Sequence, residues 1–520
     1  MNAGSRRLAA FSTMAVLALG CSGSQDSGKP GGTGGSAGPF GGSSPTGGAI
    51  SAGAGGAPAG GSAAGGPTGG TGGTSAGSGG AGEAGSGGMP GGGGPMGGEG
   101  GGAGSAGTNA GGNAGTSLGG AGAGGAGAGG KGGAGGGAAG TAGASGASHA
   151  ADAAFCRQEL TRAAQHYAGF RGAYTNPAQI PRSAQGGNVR IVGASDWTSG
   201  FPAGTMWLLY EHTRAAADRT AAETWTQALE GQRLRTGDHD IGFIINNTYG
   251  NGLRLTDNSA YAAVITRAAQ SLATRYSATV GATRSWDFGS WSYPVIIDNM
   301  MNLELLLNAT KLGASMQYRE MAVTHALTTD RNHFRSDSSS YHVVDYNPSS
   351  GAVVRKQTNQ GLADESAWAR GQAWGLYGYT MMYRETRDQR FLTRATAIAD
   401  FYTGHARMPA DAVPYFDFDA PVRNDVPDHR DASAGAIATS GLFELAGLAS
   451  GAASERYLTF AIRAVRSLSS TSYRAALGAN SHFLLMHSVG NYPISDEVDV
   501  AMNYADYYYV EALLRCSKLP

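Results

Sequence analysis

Ala367–Tyr402 reads AWARGQAWGLYGYTMMYRETRDQRFLTRATAIADFY, and the spacing of its apolar residues gives the first indication of the fold. Apolar residues recur at three- and four-residue spacing in Ala367–Tyr383 and again in Gln389–Tyr402, which predicts two helices. A short run of charged residues separates them and is typical of the turn in a helical hairpin. The stretch therefore predicts two helices that pack side by side.

The same hairpin form returns elsewhere in the chain. Its first helix ends at Thr, Ser or Arg, a polar turn follows, and Arg and Ala lie near the start of its second helix. The copies are Tyr210–Leu229, Leu306–Leu327, Met381–Tyr402 and Leu445–Leu468. Such repeats favour an all-α domain built as an α/α barrel or a solenoid. The unequal intervals between the copies argue against a regular solenoid and leave an irregular helical domain as an alternative.

The helical spacing extends over most of the second part of the chain. It predicts nine further helices: Phe155–Tyr167, Thr205–Ala217, Ala221–Leu229, Ser259–Ala273, Asp298–Ala309, Met316–Leu327, Ser433–Leu448, Tyr457–Leu468 and Asn503–Leu514. Alternating patterns are scarce. Tyr341–Tyr346 and Val353–Lys356 flank an Asn-Pro pair and predict a small β-hairpin.

Glycine divides the chain into two materials. Of the 88 glycines among 520 residues, 59 lie between Ser22 and Ala150, whereas all seven Trp and all 22 Tyr lie after Ala150. The glycines have no collagen period, and the segment has almost no side chains to bury, so it is predicted to be a disordered linker. The formal net charge of −1 argues against a nucleic-acid partner, which requires a basic surface.

The first residues have the form of an export signal. Arg6 and Arg7 precede the apolar run Leu8–Leu19, which is too short to cross a membrane as a helix. Ala18-Leu19-Gly20-Cys21 resembles the cleavage site of bacterial lipoproteins, in which the cysteine carries the lipid; a plain secretory peptide is the alternative. We expect a lipoprotein-type signal over residues 1–21, the linker over 22–150 and a folded domain over 151–520. The protein would then be exported and anchored by lipid to a membrane of the bacterial envelope, on its periplasmic or cell-surface face.

Two further cysteines bracket the folded part. In an oxidising compartment Cys156 and Cys516 can form a disulfide that ties its two ends together, and two free thiols are the alternative. No Walker A motif, H-E-x-x-H or paired C-x-x-C occurs in the sequence. We therefore expect neither a metal nor a cofactor.

Three segments place chemically active side chains beside apolar ones. Asp238–Phe243 puts three ionisable groups next to an apolar run. Asp298 follows three branched apolar residues and precedes two methionines, a setting that raises the pKa of a carboxyl as a general acid requires. A helix N-cap is the structural alternative for Asp298 and is compatible with that role. In Trp368–Trp374 two indoles flank Arg370, as expected where aromatic faces hold a sugar and Arg a carboxylate; a tightly packed core helix is the alternative.

These segments resemble a known enzyme family. HDIGF (His239–Phe243), PVIIDNMMNLEL (Pro294–Leu305), WARGQAWGLYGY (Trp368–Tyr379), HRDASA (His429–Ala434) and NYADYYYVEALL (Asn503–Leu514) are similar, in order, to glycoside hydrolase family 88, the unsaturated glucuronyl hydrolases. The resemblance implies an (α/α)6 barrel. It also implies removal of a 4,5-unsaturated uronic acid from the non-reducing end of lyase products, by protonation of C4 and hydration of the C4=C5 bond.

The resemblance assigns roles to individual positions. Asp298 would be the general acid/base, Asp240 the second carboxylate, and Arg370 would pair with this acidic centre. The expected stacking walls are Trp197, Phe243, Trp286, Trp368 and Trp374. The expected hydrogen-bonding residues around the unsaturated ring are His239, His342 and Gln360.

The sequence also departs from the family pattern. Asn359 stands where members often carry His, and the loop His487–Pro493 lacks the Lys that some members use for a sulfated second sugar. We therefore expect a substrate that does not depend on sulfate. Two alternatives stay open: an unsaturated rhamnogalacturonyl hydrolase acting on pectin fragments, and a sugar-binding lipoprotein that has lost catalysis.

Overall fold

The computed structural model describes residues 148–420 and 429–520. The predicted signal over 1–21, its lipidation site Cys21 and nearly all of the predicted linker lie outside these residues. Within them, no helix is both long and apolar enough to cross a membrane.

Helices dominate the described residues. They are α1 (Ala150–Ala173), α2 (Gly200–Thr213), α3 (Ala216–Ala228), α4 (Ile241–Ile245), α5 (Asn251–Thr256), α6 (Ala260–Ala273), α7 (Asn299–Lys311), α8 (Met316–Asn332), α9 (Ala369–Thr386), α10 (Gln389–Gly404), α11 (Ala432–Leu448), α12 (Gly451–Leu468) and α13 (Asn503–Cys516). A π-helical turn, Asn246–Gly250, joins α4 to α5 into one broken helix.

The helices form two concentric rings. The inner ring runs α2, α4–α5, α7, α9, α11 and α13, each in contact with the next, and α13 closes on α2. The outer ring consists of α1, α3, α6, α8, α10 and α12. Because inner and outer helices alternate along the chain, the inner helices are parallel and their N-termini meet at one end. This is the (α/α)6 barrel that the family resemblance implies, and the closed ring excludes the solenoid.

Inner and outer helices differ in sequence for a physical reason. An inner helix is surrounded by protein, and α9 and α11 are accordingly apolar or small on almost all sides. At Gly378 in α9, a Cβ would lie 2.5 Å from the Cβ of Met300 in α7, so only glycine permits this close approach. An outer helix such as α12 buries one face, Tyr457 to Leu468, against the inner ring.

Short strands lie on the barrel, and two of them lead directly into inner helices. They are β1 (Ile180–Gln185), β2 (Asn188–Val192), β3 (Tyr276–Ser277), β4 (Ala282–Thr283), β5 (Pro294–Ile296), β6 (Val343–Tyr346), β7 (Val353–Gln357), β8 (Ser488–Asn491) and β9 (Asp496–Met502). They form antiparallel sheets in the orders β2-β1-β9-β8, β5-β6-β7 and β3-β4. The predicted hairpin is the β6-β7 pair. β5 and β9 immediately precede α7 and α13, so these sheets lie at the N-terminal end of the inner ring.

Two features of the helix prediction are wrong. The predicted helix Thr205–Ala217 ends at Thr213, because Arg214 adopts a left-handed conformation (φ 54°) that terminates α2. The broken inner helix Ile241–Thr256 was not predicted. Its glycines are required by neighbours: a Cβ at Gly242 would lie 2.7 Å from the Cα of Asn302.

Cys156 and Cys516 are joined by a disulfide with Cα atoms 5.9 Å apart. The bond links α1 to the end of α13, so the first and last helices of the described chain are tied together. Free thiols, the alternative left open by the sequence, do not describe this structure.

Candidate active site

The candidate site lies where the N-termini of the inner helices meet. Asp240 is the N-cap residue of α4, Asp298 that of α7, Trp368 that of α9 and Asp431 that of α11. Helix N-termini carry partial positive charge, so this end of the barrel favours an anionic substrate. The architecture therefore gathers residues that are far apart in sequence at one mouth.

Asp298 is a buried carboxyl that remains available for proton transfer. It occupies an N-cap position, but its side chain makes no capping hydrogen bond, and the buried Oδ2 atom has no hydrogen-bond partner within the described residues. Burial raises the pKa of Asp298 to about 7, although the Arg370 charge and the Trp374 indole act in the opposite direction. A carboxyl with this pKa is half protonated near neutral pH and can deliver a proton.

Asp240 has a related setting at the neighbouring inner helix. Its side chain is 20% exposed and also makes no capping hydrogen bond. Burial and the nearby carboxylates of Asp238 and Asp298 raise the pKa of Asp240 well above its usual range, against the lowering effect of Arg235. Two carboxyls that influence each other in this way do not ionise independently. The pair can therefore hold one proton at neutral pH.

Each carboxyl faces a buried histidine. His342 Nδ1 accepts backbone N–H groups of Asn359 (3.0 Å) and Gln360 (3.3 Å), so its hydrogen is on Nε2, 3.7 Å from Asp298 Oδ2. Asn359 thus contributes its backbone N–H to the site. Burial, reinforced by Arg370, lowers the pKa of His342 well below its usual range.

His239 repeats the arrangement beside Asp240. The Asn302 side-chain oxygen accepts the Phe243 N–H (2.8 Å), so its amide nitrogen donates to His239 Nδ1 (3.1 Å). The remaining hydrogen is on Nε2, 3.5 Å from Asp240 Oδ1. Burial lowers the pKa of His239 to about 3. Both histidines are therefore neutral donors that face the carboxyls.

The prediction that Arg370 pairs with the acidic centre is wrong. Arg370 Nη1 forms an ion pair with Asp431 (3.2 Å) and donates to the Val489 carbonyl, and Nη2 donates to the Gly490 carbonyl (2.7 Å). The guanidinium is 1% exposed and lies 4.6 Å from the Trp368 ring centroid. Arg370 acts on Asp298 through its charge at a distance, because the β8-β9 hairpin and Asp431 hold it away.

The predicted aromatic residues form two groups in the structure. The Phe243 ring packs between Trp197 and Trp374. Its centroid is 5.6 Å from the Trp197 ring and 5.2 Å from the Trp374 ring. Trp374 and Phe243 are almost fully buried, and Trp197 is partly exposed. They form one wall of the mouth.

The second group lies around His342. The ring of Trp368 is 4.4 Å from the His342 ring, and that of Trp286 is 6.4 Å away on an edge-to-face approach. Gln360 directly follows Asn359 in the chain. Its side chain donates to the Gly490 carbonyl (3.1 Å), which also accepts from Arg370. The structure thus brings every predicted catalytic and substrate-binding residue to this end of the barrel, whereas the predicted lipidation site Cys21 lies outside the described residues.

At the mouth, seven buried polar side-chain atoms have no hydrogen-bond partner within the described residues. Buried polar groups are normally hydrogen-bonded, so such atoms mark where a substrate can bind. Those at the mouth are Asp298 Oδ2, His342 Nε2, Trp374 Nε1, Trp286 Nε1, Tyr504 OH, Ser488 Oγ and Asn491 Oδ1. They include the donors and acceptors that a hydroxylated, carboxylated ring requires.

Sequence reasoning gave no role to three contributors. Asp431 caps α11, accepts from Ser433 and Ala434 and binds Arg370. Tyr504 lies between Trp197 and Arg370, and the β8-β9 hairpin supplies the carbonyls that fix that guanidinium. The HRDASA and NYADYYY runs contain the first two, but nothing in them shows which partner each takes.

A second cavity, of about 510 Å³, is lined mainly by the C-terminal halves of the inner helices and extends to Gly242 and Phe243 near the start of α4. Its carboxylates already have cationic partners: Glu304 pairs with Arg384, and Glu211 with Arg254 and Lys518. It contains none of the predicted carboxyls or histidines. In the described parts of the chain, no three His, Cys, Asp or Glu side chains group as a metal site.

The chain was compared with known families. The model for Glycosyl Hydrolase Family 88 matches residues 177–517. The chain belongs to glycoside hydrolase family 88. It is therefore a glycoside hydrolase, and the (α/α)6 barrel is the fold of its structural neighbours.

Individual relatives agree with this assignment. An unsaturated glucuronyl hydrolase of Formosa agariphila is 46% identical over 334 residues, which cover 64% of this chain and 82% of the relative. A solved unsaturated glucuronyl hydrolase specific for heparin is 43% identical, with TM-score 0.66 and coverage of 71% and 97%. A variant solved with dGlcA-Glc-Rha-Glc is 29% identical, with TM-score 0.65 and coverage of 69% and 96%. These relatives support hydrolysis of unsaturated uronic acid oligosaccharides by this family member.

Proposed function

We propose that this enzyme removes a 4,5-unsaturated uronic acid from the non-reducing end of lyase-generated oligosaccharides by hydrating the C4=C5 bond. The observation that carries the proposal is Asp298, a buried carboxyl with a pKa of about 7, at a mouth lined with neutral donors. One of its oxygens has no hydrogen-bond partner among the residues that the structure describes. An ordinary glycosidase protonates the leaving oxygen instead and uses a separated carboxylate pair.

The reaction divides into balanced steps. Protonated Asp298 gives its proton to C4, and the π electrons of C4=C5 form the new C4–H bond. Positive charge develops at C5 and is shared by the ring oxygen. A water oxygen bonds to C5 while its proton returns to the Asp298 carboxylate, with Asp240 next to it. The resulting hemiketal opens to a C5 ketone, and the hemiacetal left at C1 releases the remaining sugar chain.

The site explains why neutral histidines suit this chemistry. A charged imidazole next to Asp298 would stabilise its carboxylate and lower the pKa of Asp298. His342 and His239 instead offer N–H donors without charge, and the low pKa of each keeps it neutral at physiological pH. The histidines therefore leave the raised pKa of Asp298 in place, and their N–H groups face the carboxyls without adding charge.

The substrate beyond the unsaturated ring is a separate question. One relative is described as specific for heparin. Here the β8-β9 hairpin bears Asp496 and Asp499, and His487 is engaged with Asp499 (2.6 Å). Asp496 forms an ion pair with Arg190 (3.0 Å), and the segment His487–Pro493 contains no Lys that could bind a sulfate. We therefore propose a preference for unsulfated over sulfated disaccharides.

The test uses the ultraviolet absorbance of the conjugated C4=C5 bond, which disappears on hydration. Lyase-generated disaccharides from heparin, chondroitin, hyaluronan and pectin are compared, with sulfated and unsulfated forms of the heparin and chondroitin disaccharides. Wild type should remove the signal from glucuronyl substrates. Turnover of pectin fragments alone would favour the rhamnogalacturonyl alternative. Faster turnover of sulfated forms would contradict the preference, and no turnover would favour the sugar-binding alternative.

We further propose that the enzyme is an exported lipoprotein attached through Cys21. Support comes from the signal-like residues 1–21 and from the Cys156–Cys516 disulfide, a bond that persists in oxidising compartments. The full chain and its Cys21→Ser variant are expressed in a bacterial host and fractionated. Wild type should sediment with membranes and the variant should not; equal distribution would contradict the proposal.

A further inference from the structure

An exposed aromatic side chain continues the site outward from the catalytic carboxyl. Trp286 lies next to His342, which faces Asp298, and the ring of Phe288 stacks on Trp286 at 4.8 Å with an interplanar angle of 15°. Trp286 is 7% exposed, whereas Phe288 is 59% exposed. Phe288 is thus the outermost ring of this series.

The loop that carries Phe288 is braced on both sides. Asp287 forms ion pairs with Arg275 (2.9 Å) and Arg284 (3.2 Å). At the base of the loop, the Ser285 N–H donates to the Pro294 carbonyl (2.8 Å). These contacts anchor the residue immediately before Phe288.

The other side of Phe288 is fixed by an indole. Gly289 has φ +78°, and a Cβ there would lie 2.5 Å from the Trp291 ring, so the loop closes only with glycine at this position. The Trp291 N–H donates to Gln357 (3.0 Å), and its ring meets Trp286 edge to face at 5.5 Å. A constrained loop therefore holds this large apolar ring in water. A single exposed phenylalanine is common on protein surfaces and needs no such bracing.

We infer that Phe288 is a stacking platform for the third sugar of the substrate, counted from the unsaturated ring. This inference rests on the proposed function. The unsaturated ring lies at Asp298 and His342, and the steps from His342 to Trp286 (6.4 Å) and on to Phe288 (4.8 Å) are each of the order of one sugar ring. Sugar faces present C–H groups that pack on aromatic faces, and a disaccharide is too short to reach the outer ring.

The experiment compares substrates of two lengths. An unsaturated disaccharide and an unsaturated tetrasaccharide with the same first two sugars are prepared with one lyase. Phe288→Ala should lower kcat/KM for the tetrasaccharide about fivefold, mainly through KM, and change the disaccharide value less than twofold. Phe288→Trp should keep the tetrasaccharide value. Met316→Ala, at an exposed position on the outer helix α8, is the matched control and should change neither.

A second measurement is independent of turnover. Calorimetry follows tetrasaccharide binding to Asp298→Asn protein with Phe288 intact or replaced by Ala, and the Ala variant should bind about fivefold more weakly. Equal losses on both substrates, or no loss on the tetrasaccharide, would overturn the inference. If wild type turns over neither substrate, the proposed function fails, and the calorimetric comparison alone decides the platform.

Discussion

Asp298→Asn tests whether the burial of one carboxyl serves chemistry at the expense of stability. Asp298 is 8% exposed, and its pKa rises from 3.8 to about 7 on folding. Because the folded-state pKa is the higher one, the wild-type protein loses stability as pH rises through this interval. Asparagine has nearly the same shape and never carries the charge.

The size of the effect follows from linkage. With these two pKa values, ionisation of Asp298 costs about 2 kcal/mol at pH 5 and about 4 kcal/mol at pH 8. The free energy of unfolding of Asp298→Asn, relative to that of wild type, should therefore be larger by about 2.5 kcal/mol at pH 8 than at pH 5, because the variant does not lose this stability. Turnover of the unsaturated substrate should be lost at both values.

The assay pairs urea unfolding of the oxidised protein with the absorbance assay at both pH values. Asp257→Asn, at an exposed carboxyl after α5, is the control and should change neither quantity. A variant with wild-type turnover would show that Asp298 is not the acid. A stability difference that does not grow with pH would show that burial does not raise the pKa of this carboxyl.

Other expectations follow from the same structure. In wild type, kcat/KM should fall as pH rises through about 7, because the acid form of Asp298 is lost; a flat profile up to pH 9 would contradict this. Asp431→Asn leaves the Arg370 charge unpaired, so the alkaline limb of that profile should move to lower pH; an unchanged limb would show that Asp431 does not tune the acid. Arg370→Gln should destabilise the fold by about 3–5 kcal/mol in urea unfolding, because it leaves Asp431 buried and unpaired, and adding Asp431→Asn should recover part of this loss. Cys156→Ser/Cys516→Ser should unfold more easily by roughly 2–5 kcal/mol, and equal stability of oxidised wild type and variant would refute the role of the disulfide.

The fold was predictable wherever helices carry regular apolar spacing. All eleven predicted helices occur, because the outer helices bury one repeating apolar face and the inner helices are apolar or small on almost all sides. The missing element, Ile241–Thr256, has short apolar runs interrupted by glycine, asparagine and a π-helical turn. Its helical form depends on close contacts with neighbours such as Asn302, which local spacing does not encode.

The site was predictable in its members but not in their pairing. Asp298 could be predicted because its local sequence already combines a carboxyl with apolar neighbours. The partner of Arg370 could not, because Asp431 is 61 residues away and reaches it only once α9 and α11 are adjacent. The same limit applies to His342 and His239, whose hydrogen positions depend on backbone and amide partners from other segments.

These pairings explain how the site maintains an acid among positive influences. Arg370 and the N-terminus of α7 both favour the Asp298 carboxylate, and burial favours the neutral acid. Asp431 and the carbonyls of Val489 and Gly490 offset the Arg370 charge and fix its position. Arg370 can then remain close enough to attract an anionic sugar without deprotonating the acid. A nearby guanidinium and a protonated carboxyl normally oppose each other, and the buried Arg370–Asp431 pair lets this barrel contain both.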